Sequence, residues 1–451
     1  MLDFLSGEAL ARSVRSSPST DSSRLAVGDL IVATVCLLIV TLSTVRGLRD
    51  GQTLDMGLYW WAGDVTWHTG RPDVLFFWTG TPLTAAIMAL VSRAMSAKTS
   101  VDLLTLLNGL LTIGLVGVLC RRLQRLVSRP WLWAIALGLV SFAPLLSTVW
   151  WKQINLIALA LGLAGFDLLR RSGFRSGLGS ALIGLSVAFK PLLILLPLVL
   201  LARRTTRRAG LLAIAWLAGL SMAGIAFAAW RAQQLSLLNP WAAVNNFAAK
   251  SKPAFGYLQA ADNFSPVATL VRLGGQQHWR LYQVAALVLV ALLGIWTTES
   301  LRGRQLTSWD AFAFIAAFSV MISPISWSHY QIMLAPLLVV LVVRMSRNGA
   351  SVGDWVGLAL AFILASLVWR PDGTLTNALH TLLAQGRLPP DTPVSKAAIP
   401  IETLSQSAQY VLIATGILWY LRSSRRVSGG REPPDSEADA LVETRPREAV
   451  G

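Results

Sequence analysis

The stretch Arg49–Pro82, RDGQTLDMGLYWWAGDVTWHTGRPDVLFFWTGTP, lies between two apolar segments and holds the polar groups they lack. Asp55, Asp64, Asp73 and His68 stand among Trp60, Trp61, Trp67 and Trp78. Upstream, Val27–Val45 is apolar over nearly the 20 or so residues that a membrane-spanning helix needs, and Arg24 precedes it. Downstream, Thr81–Met95 is apolar but shorter. A loop rich in acids and tryptophans between such segments reads as the surface part of a chain that threads a membrane. Whether it does chemistry depends on what the rest of the chain brings to the same side.

The composition agrees with a membrane protein. Hydrophobic residues make up 54% and charged residues 14%, with a mean hydropathy of +0.56; soluble domains carry roughly 25% charged residues. The net charge of +16 comes from short basic clusters at the ends of apolar segments. That is how cytoplasmic loops are marked, and it argues against a nucleic-acid partner. Cys36 and Cys120 sit in separate apolar segments and match no metal or redox spacing. The first 26 residues are polar and lack an early apolar core with a cleavage site, so the first apolar segment is expected to be a retained helix.

Working outward, the N-terminus is placed in the cytoplasm and twelve spans follow, with both ends inside. After Val27–Val45 come Val101–Cys120, closed by Arg121–Arg125, then Trp131–Val149 and Asn155–Leu169. Two short spans meet at Lys190-Pro191, where proline breaks the helix. Leu211–Trp230, Leu281–Trp296, Phe312–Trp327, Tyr330–Val343, Val352–Trp369 and Tyr410–Leu421 complete the set. The expected organisation is a cytoplasmic segment 1–26, a transmembrane domain 27–422 and a polar, disordered cytoplasmic tail 423–451. The outer loops are 47–100, 231–278 and 370–407. Thr81–Met95 is expected to lie along the outer surface as a juxtamembrane helix, which keeps the next basic cluster inside.

Under this topology Asp55, Lys152, Gln153, Asn155, Lys190, Asn263, Arg272 and His329 gather at or near outer helix ends. An ionisable group near membrane depth costs a few kcal/mol unless paired or hydrated, so each is a functional candidate. Lys190 is the sharpest, since LSVAFKPLLILLPL offers it no acid; a snorkelling side chain is the plain reading and a cation facing a phosphate the functional one. His329, just after Pro324 in SPISWSHYQ, could orient a carboxylate or bind an anion. Asp64 and Asp73 read as capping or turn residues, and His68, His278 and His380 as solvated loop residues.

With these residues in view, the chain resembles glycosyltransferase family 87, polyprenyl-phosphate-sugar-dependent enzymes of the GT-C superfamily, over roughly Leu54 to Leu341. Asp55-x-x-x-Tyr59 followed by Phe77-x-x-x-x-Pro82-Leu83 is similar to the family's first-loop acid and its F-x-Y-P-P-L helix start. Lys152-Gln153-Ile154-Asn155 is similar to G-Q-x-N, with lysine in place of glycine. Lys190-Pro191 matches a K-P between short helices. Asn263-Phe264-Ser265 with Arg272 is similar to N-Q-S followed by arginine, and the glutamine is lost. Ser323-Pro324-Ile325-Ser326-Trp327-Ser328-His329 matches S-P-x-S-W-x-H in full.

The resemblance implies an all-α polytopic integral membrane protein of GT-C fold with juxtamembrane helices in its first outer loop. It implies inverting transfer of a sugar, mannose favoured over arabinofuranose, from a polyprenyl-phosphate donor. The acceptor would be a glycolipid or cell-envelope glycan on the outer face of a bacterial plasma membrane. Asp55 would be the general base, with His329 beside it. Lys190, Arg272, Gln153, Asn155, Asn263 and Tyr59 would bind the donor phosphate and substrate. An inverting transfer needs one carboxylate for the acceptor proton and fixed positive charge for the leaving phosphate. No nucleotide-binding glycine pattern is present. No cofactor is called for; the loop acids leave room for a divalent cation without supplying a ligand spacing. A flippase or other transporter of lipid-linked sugars is the alternative from another class, and would place its charges near the bilayer midplane.

Overall fold

The computed structural model describes residues 21–49, 54–72, 75, 80–169, 174–202, 204–233, 265–302, 308–322, 328–366 and 394–427. The described elements are helices. In chain order they are α1 (Asp21–Arg49), α2 (Leu54–Thr69), α3 (Pro82–Ala94), α4 (Ala97–Leu123), α5 (Arg129–Val140), α6 (Ala143–Trp150), α7 (Asn155–Leu169) and α8 (Phe174–Phe189). They continue with α9 (Leu195–Ala202), α10 (Arg207–Ala232), α11 (Pro266–Gly274), α12 (Trp279–Arg302), α13 (Ser308–Ile322), α14 (Ala335–Asn348), α15 (Val352–Ser366) and α16 (Val394–Val427). The protein is an all-α polytopic membrane protein.

Six helices among the described residues are long and apolar enough to cross a bilayer, and a seventh results if the pair broken at Lys190 counts as one. Three of the expected twelve, Asn155–Leu169, Phe312–Trp327 and Val352–Trp369, coincide with apolar helices of only 10–17 residues, Asn155–Leu169, Trp309–Met321 and Val352–Ser366. The third expected span, Trp131–Val149, falls within one of the six, Arg129–Trp150, which is interrupted where α5 stops at Val140 and α6 restarts at Ala143 with Pro144 in its first turn. The stretch expected to open the tenth span is a 3-10 helix, Ser328–Leu334, ahead of α14. The helix carrying Tyr410–Leu421 begins at Val394, inside the expected third outer loop.

α1, α4, α10 and α12 present Leu30, Leu110, Leu211 and Leu281 outward, the face that lipid would cover. The core lies between α6, α7, α8, α9, α13, α14, α15 and α16, and Phe142, Phe312, Phe314 and Phe318 are completely or almost completely buried there. Helices that touch without a hydrophobic driving force rely on small residues for close approach. A Cβ on Gly165 would lie 2.8 Å from the Gly179 carbonyl oxygen, so α7 and α8 meet backbone to backbone.

The two ends of the bundle differ. At one end, buried acids meet arginines: Asp167 with Arg122 at 2.9 Å, Asp310 with Arg344 at 3.1 Å, and Asp354 with Arg422. Helix ends carrying Arg121, Arg204, Arg208 and Arg347 are at this end too. The opposite end holds the Lys190 break, the turn after α6, the start of α14 and the first-loop hairpin.

That hairpin is α2 folded back on α3. At 1.5 Å per residue, α3 rises roughly 20 Å, short of the roughly 30 Å apolar core of a bilayer. Gly63 brings the two helices together, since a Cβ there would sit 2.2 Å from the Met88 carbonyl oxygen. Trp60 Nε1 donates to the Met95 carbonyl at 2.9 Å and ties the far end.

Candidate active site

Proline at 191 has no N–H to continue α8, and the chain bends by 113° between α8 and the following helices. Lys190 stands at the bend in extended backbone (φ −150°, ψ 122°). The break strands carbonyls at the end of α8, and the hairpin satisfies two of them. Thr81 Oγ1 donates to the Ala188 carbonyl and Thr84 Oγ1 to the Phe189 carbonyl. Thr81 is also the N-cap of α3, accepting from Thr84 N at 3.1 Å. The α2–α3 hairpin is therefore hydrogen-bonded to the residues that immediately precede Lys190.

Lys190 is buried and its ammonium is held from three sides. It donates to Gln153 Oε1 at 2.7 Å and to Tyr59 Oη at 3.1 Å, and it lies 4.8 Å from the centre of the Tyr330 ring. A snorkelling lysine would reach for water; this one points into the protein. Asp55 and Tyr59 share a face of α2 at a spacing of four. Burial pushes the Asp55 carboxyl up to about 6, against the pull of the Lys190 charge. Met56 and Tyr59 pack with Met88, Leu104, Ile154 and Phe189, which fixes this end of α2 beside the break.

Gln153 is placed by the turn that ends α6. Gln153 N donates to the Thr148 carbonyl at 3.0 Å and Lys152 N to the Val149 carbonyl at 3.2 Å, with Lys152 at φ +53°. This is the Schellman helix ending, whose left-handed position normally takes glycine. Here lies the reason for the glycine in G-Q-x-N, and lysine in its place costs about 1–2 kcal/mol of backbone energy. Asn108, buried in the middle of α4, donates to the Gln153 carbonyl at 2.9 Å and pins the turn.

Asn155 Nδ2 donates to the His329 carbonyl at 3.2 Å, and Thr148 Oγ1 reaches the same oxygen at 3.3 Å. His329 lies between Trp151 and Tyr330, with its Nε2 buried and without a partner among the described residues. Tyr330 links this segment to the break: the Lys190 ammonium lies over its ring, and its centre is 4.8 Å from that of the His329 ring.

The structure thus brings together Asp55, Tyr59, Gln153, Asn155, Lys190 and His329. Arg272 falls on α11, and its side chain, like Asn263 and Asp73, lies outside the described residues; so do Ser323–Trp327 of the S-P-x-S-W-x-H motif. Asp64 pairs with His68 at 3.5 Å on the exposed side of α2, away from the pocket. Sequence reading missed Asn108, Thr81, Thr84 and Tyr330. Only Asn108 carried a signal, an amide within LLTLLNGLLT. Among the described residues, no three His, Cys, Asp or Glu side chains converge.

A fixed cation beside a carboxylate of raised pKa, at a helix break at one end of the bundle, suits proton abstraction next to an anionic leaving group. Against known proteins, the model of "Glycosyltransferase family 87" matches residues 78–324. The chain is 28% identical over 266 residues to a polyprenol-phosphate-mannose-dependent alpha-(1-2)-phosphatidylinositol mannoside mannosyltransferase of Mycolicibacterium smegmatis. The match spans 56% of this chain and 56% of that relative's length. No solved structure gives a significant match.

Proposed function

Because this chain belongs to glycosyltransferase family 87, we propose that it is a membrane enzyme that transfers mannose, with inversion, from polyprenyl-phosphate mannose to a glycolipid. Asp55 accepts the proton of the acceptor hydroxyl as that oxygen attacks the anomeric carbon. The bond from the anomeric carbon to the phosphate oxygen breaks on the opposite face. The electron pair leaves with the polyprenyl phosphate, whose charge Lys190 neutralises. A carboxyl that ionises near 6 is largely charged at neutral pH and still basic enough to hold a proton. Gln153 and Tyr59 hold the ammonium in place, and Asn108 pins the turn that carries Gln153; Asn155 and Thr148 hold the His329 segment.

The observation that carries this reading is the juxtaposition of Asp55 and the buried, triply held Lys190 at one end of the bundle. A lipid-linked donor accounts for a phosphate-binding cation at membrane depth. The mannose assignment and a phospholipid-based acceptor are supported by the relative's name. The basic helix ends lie at the other end of the bundle, which supports an extracytoplasmic site in the plasma membrane.

The test incubates purified protein with labelled polyprenyl-phosphate mannose and polyprenyl-phosphate arabinose in parallel, with a membrane lipid extract as acceptor. Transfer from the mannose donor and its loss in Asp55→Asn by at least about 100-fold, in a variant that elutes as the wild type does, are expected. Near-normal turnover in that variant would end the assignment of the base.

A further inference from the structure

At the site end of the bundle, arginines lie on tryptophans. Arg46 is 5.4 Å from the centre of a Trp150 ring and Arg280 is 5.6 Å from that of Trp279. The densest group forms where α2, α3 and α10 end. There Arg231 lies 4.3 Å from the Trp67 ring and 5.1 Å from that of Trp230, and Arg93 reaches Trp67 at 5.5 Å. Arg231 Nε donates to the Trp67 carbonyl. Gly70, at φ +66°, lets the end of α2 press on α10, for a Cβ there would meet the Ala228 carbonyl oxygen at 2.2 Å.

Packing a hairpin onto a helix needs one such cation, and two guanidinium groups on one ring repel each other. Among the described residues, no carboxylate lies within ion-pair distance of either arginine; the acid nearest in sequence to Trp67, Asp64, pairs with His68. With its face on Trp67 and its Nε committed, Arg231 still presents its terminal N–H groups, and Arg93 is exposed. Planar guanidinium groups bind phosphate oxygens in pairs. Below them Trp230 is 62% exposed, and the lipid-facing Met222 and Trp216 continue down α10. Tryptophan at the end of such a face marks headgroup depth. Positive charge at headgroup depth, directly above an acyl-chain face, fits an anionic phospholipid.

We propose that Arg93 and Arg231, framed by Trp67 and Trp230, hold the phosphate of the acceptor, an anionic glycophospholipid. The proposal rests on Asp55 marking the reacting centre. Asp55 and Trp67 belong to the same helix, and at 1.5 Å per residue the twelve positions between them rise roughly 18 Å. A phosphate at Trp67 therefore leaves several sugar rings between itself and the hydroxyl at Asp55. The acceptor is then an already glycosylated lipid whose headgroup lies along α2, and a bare phospholipid is too short.

The experiment titrates the purified full chain with phosphatidylinositol and, separately, phosphatidylcholine, without donor, and reads retained lipid by native mass spectrometry. Phosphatidylinositol should be retained over phosphatidylcholine, and Arg231→Gln or the milder, exposed Arg93→Gln should each reduce that retention about tenfold. With phosphatidylinositol mannoside as acceptor, both variants should raise the acceptor KM about tenfold more than they lower kcat, leaving the donor KM as it was. Equal retention of the two lipids, retention unaffected by both substitutions, or loss confined to kcat would overturn the site. Lipid retention is read without any transfer, so failure of the proposed reaction is a separate result.

Discussion

Replacing Lys190 with Met tests the pocket more completely than any other single change. Methionine fills comparable space and has no charge, so the buried volume between Gln153, Tyr59 and Tyr330 stays occupied. Two effects follow. The leaving phosphate loses a charge-assisted partner, worth about 1.5–3 kcal/mol. At 1.36 kcal/mol per tenfold, kcat/KM then falls roughly 10- to 150-fold. Asp55 also loses the nearby positive charge that opposes its desolvation. The sign is fixed: a base must be ionised, so wild-type activity declines as pH falls through about 6. Without the ammonium the carboxyl holds its proton to higher pH, and the acidic limb should move up by at least roughly one pH unit. The assay is the pH profile of kcat/KM with saturating acceptor and varied polyprenyl-phosphate mannose, for wild type, Lys190→Met and Lys190→Arg. The arginine variant should retain the wild-type limb. A wild-type limb near 4, or the same limb in the methionine variant, would refute the coupling of Asp55 to Lys190.

Asn108→Ala removes the donor to the Gln153 carbonyl and should lower kcat/KM about tenfold, although Asn108 itself reaches only the turn; a wild-type rate would show that the turn holds without it. Gly63→Ala should separate α2 from α3, because its Cβ would meet the backbone of Met88, at a cost of about 1–3 kcal/mol seen as a lower Tm and lost activity. Gly114→Ala, with nothing within 4 Å of its Cβ, is the control and should raise Tm slightly; equal effects at the two positions would contradict the close packing. In a background lacking Cys36 and Cys120, His68→Cys should react in intact cells with a membrane-impermeant thiol reagent; protection would place the site on the cytoplasmic side.

What was legible in the sequence was what a membrane makes local. A bilayer forbids unpaired backbone groups and penalises charge, so apolar runs between basic clusters announce helices without reference to partners. The same penalty marked Asp55 and Lys190 as candidates while they were still far apart in the chain. Proline at 191 announced the break for an equally local reason. The exact bounds were less legible: Pro144 divides a run that hydropathy alone reads as one helix, and a 3-10 turn precedes α14.

The sequence of Arg49–Pro82 marked it as the polar wall of a membrane site, with Asp55 ahead of its other acids. Only the packed structure decided what that wall leans on. Thr81 and Thr84 are unremarkable in sequence, yet they take the carbonyls freed at the Lys190 break. Lys152 counted in sequence as one more candidate near an outer helix end, yet it is buried in a left-handed turn. Asn108 acts through a backbone oxygen 45 positions away. Such roles depend on hydrogen bonds between segments distant in the chain, and those exist only once the helices have met.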